Sequence, residues 1–129
     1  MNSPPFHFRS THKSLREILL DHDLASLGDA YVNFIYSLAL TNKNARPTGT
    51  KAKGSTLAEA LRKAGLREQL PARMSSHDLA DAAEALIVYG WLQNTITLKE
   101  SVGFLQQNAD IIEGFSKLLA TTKNRIKLP

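Results

Sequence analysis

Three acidic residues lie where the sequence is otherwise apolar. Asp81 and Glu84 are three residues apart, so a helix places them on one side, and Val88 and Leu92 follow one turn further on. Asp29 lies in a second segment whose helical projection is apolar on all sides. A buried carboxylate is very costly unless it is paired, hydrogen-bonded or bound to a metal. These three residues are therefore the candidates for chemistry.

The chemistry that such a group supports depends on how the two helices pack. If they pack against each other, Asp29 meets Asp81 and Glu84, and three negative charges repel unless a divalent cation neutralises them. Oxygen ligands without histidine or cysteine favour Mg²⁺ or Mn²⁺. Such an ion activates water and stabilises charge on a phosphate, which predicts phosphodiester hydrolysis. The alternative is a non-catalytic helical domain, in which the acids favour the positive end of a helix dipole or cap a helix.

The basic residues are concentrated in the middle of the chain. Residues 43–73 hold eight Lys and Arg against two Glu, a net charge of +6, whereas the whole chain carries +4 and the remainder −2. A block of this kind invites a polyanion, because phosphates are its commonest target. The alternative is a solvated basic face without a ligand.

The composition predicts one globular domain over residues 1–129. With 43% hydrophobic and 22% charged residues, the chain can bury a core without a metal or a disulfide. The absence of cysteine excludes a disulfide scaffold, thiolate chemistry and cysteine-based zinc sites. No segment approaches the ~18–20 apolar residues of a membrane span. We therefore expect a soluble, cytoplasmic protein with no membrane partner and no small-molecule cofactor.

The segments that must position these residues have helical periodicity, and no alternating pattern indicates a strand pair. We predict an all-α fold with helices at about 14–21, 23–41, 56–64, 76–92, 97–107 and 110–121. Ser14, Thr56 and Thr97, each followed three residues later by Glu, predict capping boxes at helix starts. Residues 42–54 are expected to form one long loop, and the ends at about 1–11 and 122–129 to be loosely held.

Two segments resemble the ribonuclease III family. Residues 24–30, LASLGDA, are similar to its signature helix, Leu-Glu-Phe-Leu-Gly-Asp-Ser/Ala. Residues 79–87, LADAAEALI, are similar to its second acidic helix, Leu-Ala-Asp-x-x-Glu-Ala-Leu-Ile-Gly. The resemblance covers about residues 15–92. It implies an all-α endonuclease domain that dimerises, binds Mg²⁺ through acidic side chains and cleaves double-stranded RNA, leaving 5′-phosphates and short 3′ overhangs.

The resemblance also assigns roles to the acidic residues. Asp29 matches the aspartate of the signature, and Asp81 and Glu84 match the two acids of the second motif. All three are thus the implied catalytic residues and metal ligands. The sequence departs from the family at Ala25, where the signature has a metal-ligating glutamate, and at His22, where the family has a further acid.

Ala25 leaves two interpretations. The compact members that lack a double-stranded-RNA-binding domain, called Mini-ribonuclease III, are similar in carrying an apolar residue there, so a water or a nearby acid such as Asp21 or Asp23 would complete the site. Alternatively, the chain is a catalytically silent relative that binds RNA or acts in assembly. We favour the nuclease, because three acids would be needless burdens in a purely structural core. A helical interaction module without an RNA partner is the third interpretation.

The resemblance further implies that this domain, as a homodimer, binds the duplex itself, because the sequence leaves no room for a separate RNA-binding domain. A-form RNA is recognised mainly through its shape, its phosphates and its 2′-hydroxyls. The candidates for phosphate contacts are the basic residues of the middle block: Arg46, Lys51, Lys53, Arg62, Lys63, Arg67 and Arg73.

Overall fold

The computed structural model describes residues 8–128, and α-helices make up most of them. The helices are α1 (Leu15–Leu19), α2 (His22–Asn44), α3 (Gly54–Lys63), α4 (Ser76–Leu92), α5 (Leu98–Gln107) and α6 (Ile111–Arg125), with a short 3₁₀ turn at Arg67–Gln69. This part of the chain contains no β-strand, so the all-α prediction is confirmed. None of its helices is long and apolar enough to cross a membrane.

The predicted capping boxes give the right helix start in two places and the wrong one in a third. Ser14 and Thr97 cap α1 and α5, each by accepting a hydrogen bond from the backbone N–H of the glutamate three residues on. Thr56 does not cap α3, which begins two residues earlier, at Gly54. The carbonyl of Lys53 already accepts hydrogen bonds from the N–H groups of the first turn, so the helix is under way before Thr56.

Two helices run further than the periodicity predicts. α2 begins after Asp21, whose carboxylate accepts a hydrogen bond from the Leu24 N–H, and its last residue, Asn44, is followed by Ala45, which has a left-handed φ of 57°. α6 continues to Arg125 instead of ending near residue 121, and Thr122 is buried within it. The basic residues in this last turn suit the negative end of the helix dipole.

α4 lies at the centre of the fold. Its residues 82–90 are all buried, and it packs against α1, α2, α3 and α6. The apolar sequence of α4 therefore corresponds to burial on all sides. The apolar projection of α2 does not, because its outer face exposes Leu27 by 43% and Phe34 by 54%. Some of the apolar residues of α2 therefore lie on a face that no other part of residues 8–128 covers.

α2 and α4 come into backbone contact at Gly28. A Cβ atom at this position would lie 2.2 Å from the carbonyl oxygen of Glu84 and 2.6 Å from its carbonyl carbon. Further along the same pair of helices, the rings of Tyr31 and Trp91 stack with their centroids 4.9 Å apart. The absence of a side chain at Gly28 thus lets the helix that carries Asp29 lie directly against the one that carries Glu84.

Residues 8–12 pack against the domain instead of hanging loose. The ring of Phe8 meets that of Tyr89 edge-on with centroids 5.9 Å apart, and the Ser10 Oγ lies 2.8 Å from the Tyr89 hydroxyl. His12 Nε2 lies 2.8 Å from Asp21 Oδ2, at the start of α2. These contacts place Phe8, Ser10 and His12 against the rest of the domain. Residues 1–7 and 129 lie outside the described part of the chain.

Gly28→Ala should destabilise the protein by about 2 kcal/mol. The added methyl group must push α2 away from the Glu84 backbone, which cannot move aside as a flexible side chain would. Helix propensity alone predicts the opposite sign, because alanine is favoured over glycine by about 1 kcal/mol in a helix interior. The free energy of unfolding, measured by urea denaturation, distinguishes the two effects.

Gly103→Ala in α5 is the matched control. Its Cβ would have no neighbour nearer than 3.9 Å, so we expect this variant to be neutral or more stable than the parent. A Gly28→Ala variant as stable as Gly103→Ala would contradict the importance of the contact.

Candidate active site

The structure brings Asp29 of α2 together with Asp81 and Glu84 of α4. All three line one cavity of about 360 Å³, and we call them the acid site. The rest of the wall comes from α2, α3, α4 and one residue of the loop before α3; its members are His22, Ala25, Ser26, Ala52, Gly54, Leu57, His77 and Ala80. Residues 45–53, which connect α2 to α3 and carry Arg46, Lys51 and Lys53, are called the basic loop. The cavity therefore lies between the carboxyl groups and Ala52, near the end of the basic loop.

Glu84 is the buried member of the acid site, with an exposure of 8%. Burial raises the pKa of its carboxyl group to about 8, helped by the negative charge of Asp29, a hydrogen bond with Asp29 and the charge of Asp81. At neutral pH Glu84 therefore keeps its proton in the metal-free protein. A cation between these carboxyl groups would favour its ionisation, because the positive charge reverses the local electrostatics.

Asp29 and Asp81 are more open to solvent. Asp29 is exposed, and its Oδ1 accepts a hydrogen bond of 3.3 Å from Asn33 Nδ2. The Asp81 side chain is 31% exposed, and its Oδ2 lies 3.5 Å from His77 Nε2. The acid site thus combines one buried carboxyl group with two that a solvated ion or a substrate can reach.

The acid site fits a hard divalent ion by its donor chemistry, because carboxyl oxygens are the ligands that Mg²⁺ and Mn²⁺ prefer. Within residues 8–128, however, no three His, Cys, Asp or Glu side chains are already arranged to hold a metal ion. Ala25, only 7% exposed, lies in the cavity wall one turn before Asp29 and offers no ligand. Side-chain movement would therefore be needed for the three carboxyl groups to converge on one ion.

The acids that the sequence offers in place of a glutamate at residue 25 lie elsewhere. Asp21 caps α2 and is held by His12. It lines an adjoining cavity of about 250 Å³ together with Asp81. Asp23 is exposed and is not part of the acid-site wall. Neither residue adds a carboxyl group beside Asp29.

Three of the seven basic candidates are engaged within the domain. The Arg62 guanidinium lies 3.2 Å from the Glu59 carboxylate, and Lys63 Nζ lies 2.6 Å from that of Glu113. The Arg67 guanidinium donates hydrogen bonds of 2.8 and 2.7 Å to two backbone carbonyls just before α4. Arg67 thus shapes the turn between α3 and α4, whereas Arg62 and Lys63 are exposed and form ion pairs at the surface.

The other four candidates, Arg46, Lys51, Lys53 and Arg73, are exposed. None of them forms an ion pair with another side chain of residues 8–128. Lys51 and Lys53 flank Ala52, which itself lines the acid-site cavity. The exposed basic residues nearest in sequence to the cavity wall are therefore these two lysines.

Asn33 is a neighbour of Asp29 on the helix to which the sequence motifs assign no role. Its amide group contacts Asp29 on one side, and its Oδ1 accepts a hydrogen bond of 2.8 Å from the Ala52 N–H on the other. Its spacing of four residues from Asp29 places the two side chains on neighbouring turns and so indicates the first contact. The second contact depends on the path of the loop, for which the sequence gives no signal.

Comparison with known proteins adds a family assignment to this geometry. A family model described as Ribonuclease III matches residues 22–126, which include every member of the acid site and the whole basic block. None of the curated proteins that were compared matches the chain.

The raised pKa of Glu84 predicts a pH-dependent stability in the metal-free protein. Between its ordinary value near 4.5 and about 8, the folded protein keeps a proton that the unfolded chain has released. The free energy of unfolding therefore falls as the pH rises through this window. Glu84→Gln removes the titration, so above pH 8 we expect this variant to be more stable than the parent by on the order of 2 kcal/mol.

Denaturation in the presence of a chelator, repeated from pH 4 to pH 9, measures this difference. At pH 4 the parent and Glu84→Gln should be alike, because Glu84 is then protonated in both the folded and the unfolded states. Glu68→Gln, at an exposed position, is the control and should follow the parent throughout. Parallel curves for Glu84→Gln and the parent would show that burial does not hold the proton.

Proposed function

The chain belongs to the ribonuclease III family, and on this premise we propose that it is a divalent-metal-dependent endoribonuclease that cleaves double-stranded segments of structured RNA. The observation that carries the proposal is the acid site itself. Glu84, which is buried and has a raised pKa, lies beside Asp29 and Asp81 in a cavity that Ala52 of the basic loop also lines. Carboxyl groups that are clustered in this way lower the stability of the fold, whereas a metal-dependent phosphodiesterase needs them as ligands for its ion.

The residues of the acid site would share the work between binding and proton release. When bound, Mg²⁺ or Mn²⁺ activates a water and neutralises charge on the scissile phosphate. Asp29 and Asp81, which solvent reaches, would provide the first oxygen ligands. Glu84 must lose its proton before it can act as a charged ligand, so ion binding and deprotonation are linked. The affinity for the ion should therefore rise with pH over the range in which Glu84 titrates.

The proposal extends to a homodimer. Leu27 and Phe34 are the large hydrophobic residues that α2 exposes, and their spacing of seven residues places them on one face. A second copy of this chain would cover that face without blocking the cavity, whose α2 wall consists of His22, Ala25, Ser26 and Asp29. Two acid sites would then act on one duplex, as members of this family do.

Ala25 supports a second candidate function, a catalytically silent protein that binds or assembles on RNA. A methyl group occupies the wall where a fourth carboxyl group would stand, and neither Asp21 nor Asp23 replaces it. On this alternative the basic loop retains its role and the acid site does not. Binding of RNA and cleavage of RNA must therefore be measured separately.

The deciding experiment incubates the purified protein with a long RNA duplex in Mg²⁺, in Mn²⁺ and in chelator. We expect the protein to cleave the duplex when Mg²⁺ or Mn²⁺ is present and not in chelator. Asp81→Asn should lower the rate of cleavage by on the order of 100-fold and leave duplex binding unchanged. Ala25→Glu adds the carboxyl group that the wall lacks and should raise the rate or lower the metal concentration needed. Binding without cleavage in either metal would favour the silent protein, and an active Asp81→Asn variant would show that the acid site is misassigned.

The proposed RNA contacts are tested by the salt dependence of duplex binding. Lys51→Ala combined with Lys53→Ala should weaken binding and lower the slope of log Kd against log salt concentration by about 1 to 2. Arg62→Ala combined with Lys63→Ala removes the same charge from residues that are paired within the domain, and it should change the slope less. Equal slopes for the two double variants would remove Lys51 and Lys53 from the contact surface.

A further inference from the structure

Three polar side chains of α2 hold the loop that follows it. They are Asn33, Ser37 and Thr41, which are four residues apart and so form one stripe along the helix. The Thr41 Oγ1 accepts a hydrogen bond of 2.9 Å from the Thr48 N–H and donates one of 3.2 Å to the Thr48 carbonyl. The Ser37 Oγ likewise accepts a hydrogen bond from the Thr50 N–H and donates one to the Thr50 carbonyl, each of 2.9 Å.

The third member of the stripe continues the pattern. Asn33 Oδ1 accepts a hydrogen bond of 2.8 Å from the Ala52 N–H. Between residues 48 and 52, every second residue thus forms backbone hydrogen bonds with one of three helix side chains that are four residues apart. Residues 48–52 therefore follow α2 as an extended segment, although they pair with no other strand among the described residues.

This alternation determines where the lysines lie. In an extended chain, successive side chains point to opposite sides, so side chains that are two residues apart project from the same side. Lys51 lies between the anchored Thr50 and Ala52, and Lys53 follows Ala52; both lysines are exposed. The stripe on α2 thus fixes the backbone from which two long, flexible cations project on the same side.

Asn33 differs from Ser37 and Thr41 because it also contacts the acid site. Its Nδ2 donates a hydrogen bond of 3.3 Å to Asp29 Oδ1 while its Oδ1 holds Ala52. Ala52 and Gly54 form part of the wall of the acid-site cavity. One amide group therefore connects a carboxylate of the site to the segment that carries the two lysines.

We infer that Asn33 is a positioning residue, which fixes the backbone of Lys51 and Lys53 at a set distance from Asp29. When the two lysines bind phosphates of an RNA backbone, a phosphodiester group of that backbone then lies at the acid site. A lysine side chain is too flexible to set such a distance, so the backbone has to set it. The chemistry that this arrangement recognises is a run of phosphates on a stiff RNA duplex. The inference rests on the proposed function.

The link itself is tested without RNA, by amide hydrogen exchange on the full chain. Asn33→Ala should speed exchange of the Ala52 N–H by about fivefold and leave the Thr50 N–H unchanged. Ser37→Ala is the matched control, because it should speed exchange at Thr50 and leave Ala52 slow. An Ala52 amide that exchanges at the parent rate in Asn33→Ala overturns the inference.

The positioning role is tested by a double-mutant cycle on duplex binding in chelator. Asn33→Ala should weaken binding by about threefold in the parent and have no further effect when Lys51 and Lys53 are both alanine. A merely structural loss would weaken binding equally in the two backgrounds, so additive effects overturn the inference.

Failure of the proposed function gives a different result. A parent protein that binds no RNA duplex overturns the proposed function, and the inference with it. A parent that binds and cleaves, with additive effects in the cycle, leaves the proposed function standing and overturns the inference alone.

Discussion

The backbone contact between Gly28 and Glu84 is the constraint on which the acid site depends. Because Gly28 has no side chain, α2 lies close enough to α4 for the next residue, Asp29, to reach the Glu84 carboxyl group. α4 has little freedom to yield, since its residues 82–90 are buried and four helices pack around it. The packing of α2 on α4 therefore fixes the position of Asp29, and the acid site is as rigid as the core that supports it.

The burial of Glu84 joins stability to ion binding. A neutral carboxyl group is the cheaper form in an apolar wall beside a second acid, so the metal-free fold favours the protonated state. The state that would bind a cation is the ionised one, and the fold disfavours it until the cation arrives. In its protonated form Glu84 therefore stabilises the metal-free site, and its ionisation would make ion binding sensitive to pH.

The sequence predicts the all-α fold and the helices that carry Asp29, Asp81 and Glu84, because apolar periodicity and acidic spacing are local properties. It does not predict what depends on a third element. Thr56 has the pattern of a cap, yet the preceding loop brings the chain into helix two residues sooner. Leu27 and Phe34 look like core residues, since periodicity does not tell whether a face meets the same chain or another copy. The link from Asn33 to Ala52 depends on the path of the loop.

α2 is one uninterrupted helix of 23 residues, and this continuity has a geometric consequence. Leu27 and Phe34 lie about 10 Å apart along its axis, at 1.5 Å per residue, and Asp29 lies between them. A second copy docked on these two side chains would have its own acid site placed by the same helix. In such a dimer, the distance between the two acid sites would depend on where Asp29 lies along α2.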